Sequence, residues 1–148
     1  MESVLFIGVQ ASGKSSFYRE RFFTTHVRVN LDMLRTRNRE QQFLETCLRT
    51  GQPFVIDNTN PTSADRRSYI EAAKLAKFRV AGYYFQSAVD DCKRRNELRP
   101  PEQRVPLPGL WGTYAKLEMP TLDEGFDKLF YVKLTESGFA VEEWRCEV

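Results

Sequence analysis

A glycine-bounded octapeptide near the start of the chain constrains its fold more than any other feature. Gly8-Val9-Gln10-Ala11-Ser12-Gly13-Lys14-Ser15 fits the pattern G-x-x-x-x-G-K-S/T. It follows the apolar run 4–9, which reads as a buried strand, and it leads into a helical pattern over 13–23. A loop of this kind between a strand and a helix predicts a site where backbone N–H groups and the helix dipole hold phosphates. The alternative is a glycine-rich turn without a ligand.

The loop defines most of the predicted phosphate contacts. They are Gly8, Gln10, Ala11, Ser12, Gly13, Lys14, Ser15 and Ser16. Lys14 is expected to reach the β- and γ-phosphates of a nucleotide, and Ser15 to bind Mg²⁺. The apolar strand 53–56 ends at Asp57, which predicts a second oxygen for Mg²⁺ or its water. The alternative is that Asp57 caps the turn that follows it.

Strand and helix patterns alternate along the rest of the chain, which predicts an α/β fold. Strands are predicted at 4–9, 26–29, 53–56, 79–85 and 129–134, with a further edge strand at 139–144. Helices are predicted at 13–23, 32–49, 63–76, 88–97 and 110–117. We therefore expect one domain over residues 1–148, with a central parallel sheet of about five strands flanked by helices.

Composition narrows the classes of protein to which this chain can belong. Three widely spaced cysteines, Cys47, Cys92 and Cys146, favour reduced thiols and a cytoplasmic protein. No apolar run approaches the roughly 18 residues of a membrane span, and the single histidine rules out a paired-histidine metal site. The net charge of +2 divides into +6 for residues 1–104 and −4 for residues 105–148. The basic excess thus lies in the part that carries the phosphate loop.

Two charged residues after the second strand predict where a phosphoryl acceptor binds. Asp32 lies at the sheet edge where ligands of open α/β sheets gather, and its carboxylate can take a proton from a hydroxyl group. Arg35 lies three residues later, on the same face of the predicted helix, and can grip a neighbouring phosphate. The alternatives are a helix N-cap for Asp32 and a surface ion pair for Arg35.

A basic segment predicts a lid over about residues 88–108. Arg95 and Arg99 share a helical face, and Arg104 lies in the proline-rich loop that follows. Arginines on a lid neutralise charge in a transition state while the closed lid excludes water. The alternative is a solvated basic helix end, which the helix dipole also favours.

These motifs, in this order, resemble the 5′-hydroxyl polynucleotide kinases, the kinase module of phage and animal end-healing enzymes. The segment Asn30-Leu31-Asp32-Met33-Leu34-Arg35 is similar to that family's Asn-x-Asp-x-x-Arg motif. Asp57-Asn58-Thr59-Asn60-Pro61 looks like its turn after the third strand, and Arg95-Asn96 with Arg99 looks like its lid. The loop departs from the family where it has Gln10-Ala11-Ser12 in place of a Pro-Gly-type sequence.

The resemblance implies a nucleoside-kinase-like P-loop NTPase fold and an ATP- and Mg²⁺-dependent kinase. Its acceptor would be the 5′-hydroxyl of a polynucleotide or of a nucleoside 3′-phosphate. The resemblance implies catalytic roles for Lys14, Asp32 (the general base) and Arg99. It implies that the phosphate loop, with Arg95 and Arg99, binds ATP. It further implies that Asp32, Arg35 (on the 3′-phosphate) and Asn58 bind the acceptor, and that Ser15 and Asp57 bind the metal.

A second departure from the family is that no phosphatase, ligase or tethering domain is attached, so we expect a stand-alone kinase domain. We also expect no contact with a membrane, and no feature of the sequence indicates a protein partner. Two alternatives remain open at the level of sequence. One is a kinase for a small hydroxyl compound, such as a nucleoside, a sugar or an antibiotic. The other is an ATP-binding switch that transfers nothing.

Overall fold

The computed structural model describes residues 1–86 and 88–144, and Cys146 therefore lies outside the described residues. The strands are β1 (Glu2–Ile7), β2 (Val27–Val29), β3 (Phe54–Ile56), β4 (Arg79–Phe85), β5 (Lys128–Thr135) and β6 (Gly138–Glu143). The helices are α1 (Lys14–Arg21), α2 (Leu31–Leu34), α3 (Arg37–Thr50), α4 (Ser63–Leu75), α5 (Val89–Glu97) and α6 (Leu107–Lys116), with 3₁₀ turns at Pro101–Gln103 and Leu122–Glu124.

The strands form one sheet in the order β2-β3-β1-β4-β5-β6. Strands β1 to β5 are parallel, and β6 pairs antiparallel with β5 at the edge. The predicted α/β fold with five parallel strands and a further edge strand is confirmed. Because β2, β3 and β1 are neighbours and parallel, the segments that follow them meet at one edge of the sheet. Those segments contain Asp32, Asp57 and the phosphate loop.

The central strand β1 is buried on both faces, as expected for a parallel sheet covered by helices. Its residues Leu5 and Ile7 pack with apolar side chains of α3 and α4 on one face. Val4 and Phe6 pack on the other face, against Phe17 of α1. The alternation follows from the two-residue period of a strand, and it fixes the phosphate loop rigidly at the end of β1.

The buried Arg66 of α4 ties the helix layer to the loops at the sheet edge. Its guanidinium donates from Nε and Nη2 to the two carboxylate oxygens of Glu124, at 2.7 and 3.2 Å. Its Nη1 donates to the carbonyl oxygen of Asn60 at 2.9 Å. Because the Arg66 side chain is 0% exposed, this bidentate pair and the backbone contact replace its lost hydration.

The prediction of one helix over 32–49 is wrong in one respect, because the helix is interrupted at Arg35. Arg35 has a φ of 75°, and the segment divides into α2 and α3. The physical reason is a second N-cap: the Thr36 hydroxyl accepts from the backbone N–H of Arg39 at 3.1 Å and starts a new helix. Asp32 and Arg35 therefore do not share a face of one continuous helix.

Within the described ranges, none of the helices combines the length and the apolar character that crossing a bilayer requires.

The close packing of β4 predicts that Gly82→Ala destabilises the fold. A Cβ at Gly82 would lie 2.7 Å from Phe126 Cε1 and 2.8 Å from Leu129 Cδ1, and both side chains are buried. We expect a loss of about 1–3 kcal/mol in the free energy of unfolding, measured by denaturant titration. Gly112→Ala in α6 is the matched control, because nothing lies within 4 Å of its Cβ position. Equal stability of the two variants would contradict this packing.

Candidate active site

A cleft of about 1880 Å³ opens at the sheet edge where the segments after β1, β2 and β3 meet. It is lined by eleven of the predicted site residues: Gln10, Ala11, Gly13, Lys14, Ser15, Ser16, Asp32, Arg35, Asp57, Asn58 and Arg99. Gly8, Ser12 and Arg95 do not line it. The structure thus brings most of the predicted phosphate-binding residues, and all of the predicted acceptor and metal residues, to one cavity.

The phosphate loop is held by its own close contacts. The backbone N–H of Gly8 donates to the carbonyl of Thr59 at 3.0 Å, and a Cβ at Gly8 would lie 3.0 Å from Ser12 Oγ. Gly13 has a φ of 101°, a left-handed conformation that favours glycine, and it is the N-cap of α1. No side chain of the described residues caps α1, so its first N–H groups are available to an anion.

Lys14 is the first residue of α1, and its ammonium group is turned onto the loop. It donates to the carbonyl oxygens of Gly8 at 3.0 Å and Val9 at 2.7 Å. Burial lowers the pKa of Lys14 from its ordinary 10.5 to about 8, although the carboxylate of Asp57 opposes this shift. The charges of Arg99 and Asp32 also act on the pKa of Lys14, which places both groups in its electrostatic surroundings.

Ser15 and Asp57 form a pair of oxygen donors. Ser15 Oγ donates to Asp57 Oδ2 at 3.0 Å, and the Asp57 side chain is 1% exposed. Magnesium is often held by one or two protein oxygens together with water and substrate phosphates. No group of three or more histidine, cysteine or acidic side chains in the described part of the chain suggests another metal site. The donor chemistry of Ser15 and Asp57 therefore fits Mg²⁺.

Ser15 and Asp57 share a hydrogen-bond donor, Arg28, that sequence reasoning missed. Arg28 of β2 donates from Nε to Asp57 Oδ2 at 2.8 Å and from Nη2 to Ser15 Oγ at 2.9 Å. A single arginine in a three-residue strand carries no signal in the sequence, because its partners lie 13 and 29 positions away.

Two asparagines hold α2, the short helix that carries Asp32. Asn30 Oδ1 accepts from the backbone N–H of Met33 at 2.9 Å, and Asn30 Nδ2 donates to the backbone carbonyl of Asp57. Asn58 Oδ1 accepts from the backbone N–H of Leu31 at 2.9 Å. The N-cap is therefore Asn30, and the alternative that Asp32 caps the helix is wrong. Asp32 itself lies in the first turn of α2 with its side chain exposed, and it does not cap the helix.

Arg35, just past the end of α2, is also exposed. Neither Arg35 nor Asp32 forms an ion pair with any residue in the ranges 1–86 and 88–144. The surface ion pair considered for Arg35 is therefore not found in that part of the chain. An exposed carboxylate and an exposed guanidinium in one cleft can receive a hydroxyl group and an anionic group from the same ligand.

A buried carboxylate of α3 was also missed by sequence reasoning. Glu40 is 4% exposed, and its carboxylate accepts from Tyr69 OH at 2.6 Å, Arg37 Nη1 at 3.1 Å and Asn58 Nδ2 at 2.9 Å. Burial, followed by the contact with Glu40, raises the pKa of Tyr69 to about 12, so that its hydroxyl stays a donor. The amide of Asn58 is thus engaged on both sides, by Glu40 and by Leu31, although Asn58 lines the cleft.

The lid segment is fastened to the phosphate loop. Arg95 Nε donates to the carbonyl of Ala11 at 2.8 Å, and Arg95 does not line the cleft. Asn96 binds the backbone of Val105 through both its amide nitrogen and its oxygen, at 2.7 and 2.9 Å. Of the two arginines predicted to share a face, only Arg99 lines the cleft.

Comparison with protein families and curated proteins places these features among known sequences. A family model described as an AAA domain matches residues 4–109. A bifunctional polynucleotide phosphatase/kinase of Schizosaccharomyces pombe is 29% identical over 129 residues, covering 84% of this chain and 32% of that protein. A putative bifunctional polynucleotide phosphatase/kinase of Acanthamoeba polyphaga mimivirus is 28% identical over 135 residues, covering 86% of this chain and 32% of that protein. The chain thus spans about a third of the length of these relatives.

Among solved structures, a gluconokinase from Sinorhizobium meliloti 1021 superposes with a TM-score of 0.65 at 18% identity. The match covers 91% of this chain and 83% of the gluconokinase. At that identity the likeness concerns the fold, which is that of P-loop α/β proteins.

The buried ammonium of Lys14 predicts a pH dependence of stability for the nucleotide-free protein. Its folded pKa of about 8 lies below the ordinary 10.5, so the unfolded chain binds more protons between these pH values. Stability contributed by this group therefore rises with pH across that window. Relative to Lys14→Met, the wild type should gain as much as about 3 kcal/mol in unfolding free energy, measured by denaturant titration at pH 7.5 and 10.5. A difference that does not change with pH would contradict a buried, charged Lys14.

Proposed function

The chain belongs to the AAA domain family, and from this premise we propose that it is an ATP-dependent kinase for 5′-hydroxyl groups. The acceptor would be a polynucleotide or a nucleoside 3′-phosphate. One observation carries the proposal: a phosphate loop, an exposed carboxylate at Asp32 and an exposed guanidinium at Arg35 line a single cleft. The similarity to two bifunctional polynucleotide phosphatase/kinases supports this class of acceptor.

On the donor side, the loop and the start of α1 would bind the phosphates of ATP. Lys14 lies where its ammonium can leave the loop carbonyls for the β- and γ-phosphates. Mg²⁺ held by Ser15 and Asp57 would supply neutralisation of charge on those phosphates. Arg99 would face the transferring group from the lid side of the cleft. Arg95 would act mainly by fastening the lid to Ala11.

On the acceptor side, Asp32 would accept the proton of the 5′-hydroxyl as its oxygen attacks the γ-phosphorus. The bond between the γ-phosphorus and the bridging oxygen breaks, and ADP leaves with that oxygen. Asn30 and Asn58 hold α2 against the turn after β3, and this fixes Asp32 relative to Asp57. Arg35 would bind the 3′-phosphate of the terminal nucleotide and orient its sugar.

The organisation of residues 1–148 as a single kinase domain stays a prediction. The cytoplasmic location also stays a prediction.

Asp32→Asn should reduce turnover far more than ATP binding, because it removes a proton acceptor and leaves the phosphate loop intact. We expect a decrease of about 10²–10⁴-fold in the rate of phosphoryl transfer and an ATP affinity within about twofold of the wild type. Single-turnover assays with labelled ATP and a 5′-hydroxyl oligonucleotide measure the first, and equilibrium titration the second. Asp65→Asn is the matched control, since Asp65 is an exposed carboxylate of the same cleft. Retained turnover in Asp32→Asn would show that the base is another group.

Arg35→Ala should abolish discrimination between acceptors with and without a 3′-phosphate. The wild type should prefer a nucleoside 3′-phosphate over the free nucleoside, and Arg35→Ala should lower that ratio of kcat/KM about 10–100-fold. Arg39→Ala, which removes an exposed arginine of α3, serves as the control. A wild type that prefers the free nucleoside or a sugar would indicate a small-molecule kinase. ATP binding without transfer to any acceptor would indicate a switch.

A further inference from the structure

We propose that Arg28 is a displaceable cation that holds Ser15 and Asp57 together until a divalent metal ion takes its place. The inference rests on the proposed nucleotide- and metal-binding function of the cleft. It goes beyond that function because Arg28 would compete with the metal ion. The metal ion and the guanidinium would bind Ser15 Oγ and Asp57 Oδ2 in alternation.

The geometry places the guanidinium on both proposed metal ligands at once. Its Nε lies 2.8 Å from Asp57 Oδ2, and its Nη2 lies 2.9 Å from Ser15 Oγ. Mg²⁺ binds oxygen at about 2.0–2.1 Å and requires lone pairs directed at the ion. Asp57 Oδ2 accepts from both Ser15 and Arg28, so both of its lone pairs are occupied, and one lone pair of Ser15 Oγ is occupied by Arg28. A metal ion that binds Asp57 Oδ2 must therefore displace the guanidinium.

The burial of Asp57 explains why the chain places the positive charge of Arg28 beside it. The Asp57 side chain is 1% exposed, and Arg28 is its ion-pair partner among the described residues. A buried carboxylate without a compensating charge is strongly unfavourable, so the ion pair stabilises the end of β3 in the absence of metal. A divalent ion offers the same compensation with greater charge, which makes an exchange of one cation for the other energetically feasible.

The position of Arg28 at the edge of the sheet allows its side chain to move from Asp57 into solvent. It belongs to β2, the edge strand next to β3, and its side chain is 28% exposed. Its Nη1 lies 4.0 Å from the sulfur of Met33, a side chain that is itself 53% exposed. The guanidinium can thus rotate towards solvent without displacing the apolar core. Its charge stays beside the cleft that would hold the nucleotide phosphates.

Binding of Mn²⁺ to the protein with saturating ADP tests this competition without any measurement of activity. Free Mn²⁺ is quantified by its electron paramagnetic resonance signal in the wild type, Arg28→Lys, Arg28→Met and Arg19→Met. Arg19 is an exposed arginine lining the same cleft, so Arg19→Met controls for the loss of one positive charge. ADP affinity without metal is measured in parallel.

We expect both Arg28 variants to bind Mn²⁺ more tightly than the wild type, by on the order of tenfold, which corresponds to about 1.4 kcal/mol. Arg28→Lys is decisive because it keeps the charge but cannot span both oxygens. If only Arg28→Met binds Mn²⁺ more tightly, the effect is ordinary repulsion and the exchange is refuted. Weaker or unchanged Mn²⁺ binding in both variants also refutes it. A wild type that binds ADP but no Mn²⁺ refutes the exchange, and one that binds neither refutes the proposed function as well.

Discussion

The buried carboxylate of Asp57 is the group on which the arrangement of the cleft depends. Its Oδ2 accepts hydrogen bonds from Ser15 at the start of α1 and from Arg28 of β2. Its backbone carbonyl accepts from Asn30, which caps the helix that carries Asp32. One residue at the end of β3 therefore connects the phosphate loop, the edge strand and the proposed base. The 2% exposure of Asp57 means that each of these contacts compensates for hydration that the residue has lost.

The turn after Asp57 extends the same connection into the rest of the fold. Thr59 accepts from the backbone N–H of Gly8, and the Asn60 side chain donates to the backbone carbonyl of Phe6 in β1. The carbonyl of Asn60 in turn accepts from the buried guanidinium of Arg66. The loop that would bind phosphates is thus fixed by β1, by the turn and by α4. Such fixed polar groups need little reorganisation during a reaction, which is the property that electrostatic catalysis requires.

Features with local signals could be predicted from the sequence, and features made by distant pairing could not. The phosphate loop and the strand that ends at Asp57 each have a contiguous pattern, and both lie where they were expected. The break at Arg35 had a local signal, the capping residue Thr36, but the apolar periodicity of the segment outweighed it. Arg28 and Glu40 are ordinary charged residues in the sequence. Their importance arises from partners up to 29 positions away, and only the folded sheet edge brings these partners together.

The proposed reaction places a phosphoryl group at one defined atom, the 5′-oxygen of a terminal nucleotide. DNA and RNA oligonucleotides with free 5′-hydroxyls, incubated with ATP labelled at the γ-phosphate and then digested to 5′-mononucleotides, locate the transferred group. A kinase for 5′ ends predicts that the label migrates as the 5′-monophosphate of the first nucleoside of at least one oligonucleotide. Label found only in inorganic phosphate, or only in ATP that remains bound and unreacted, would contradict the proposed function.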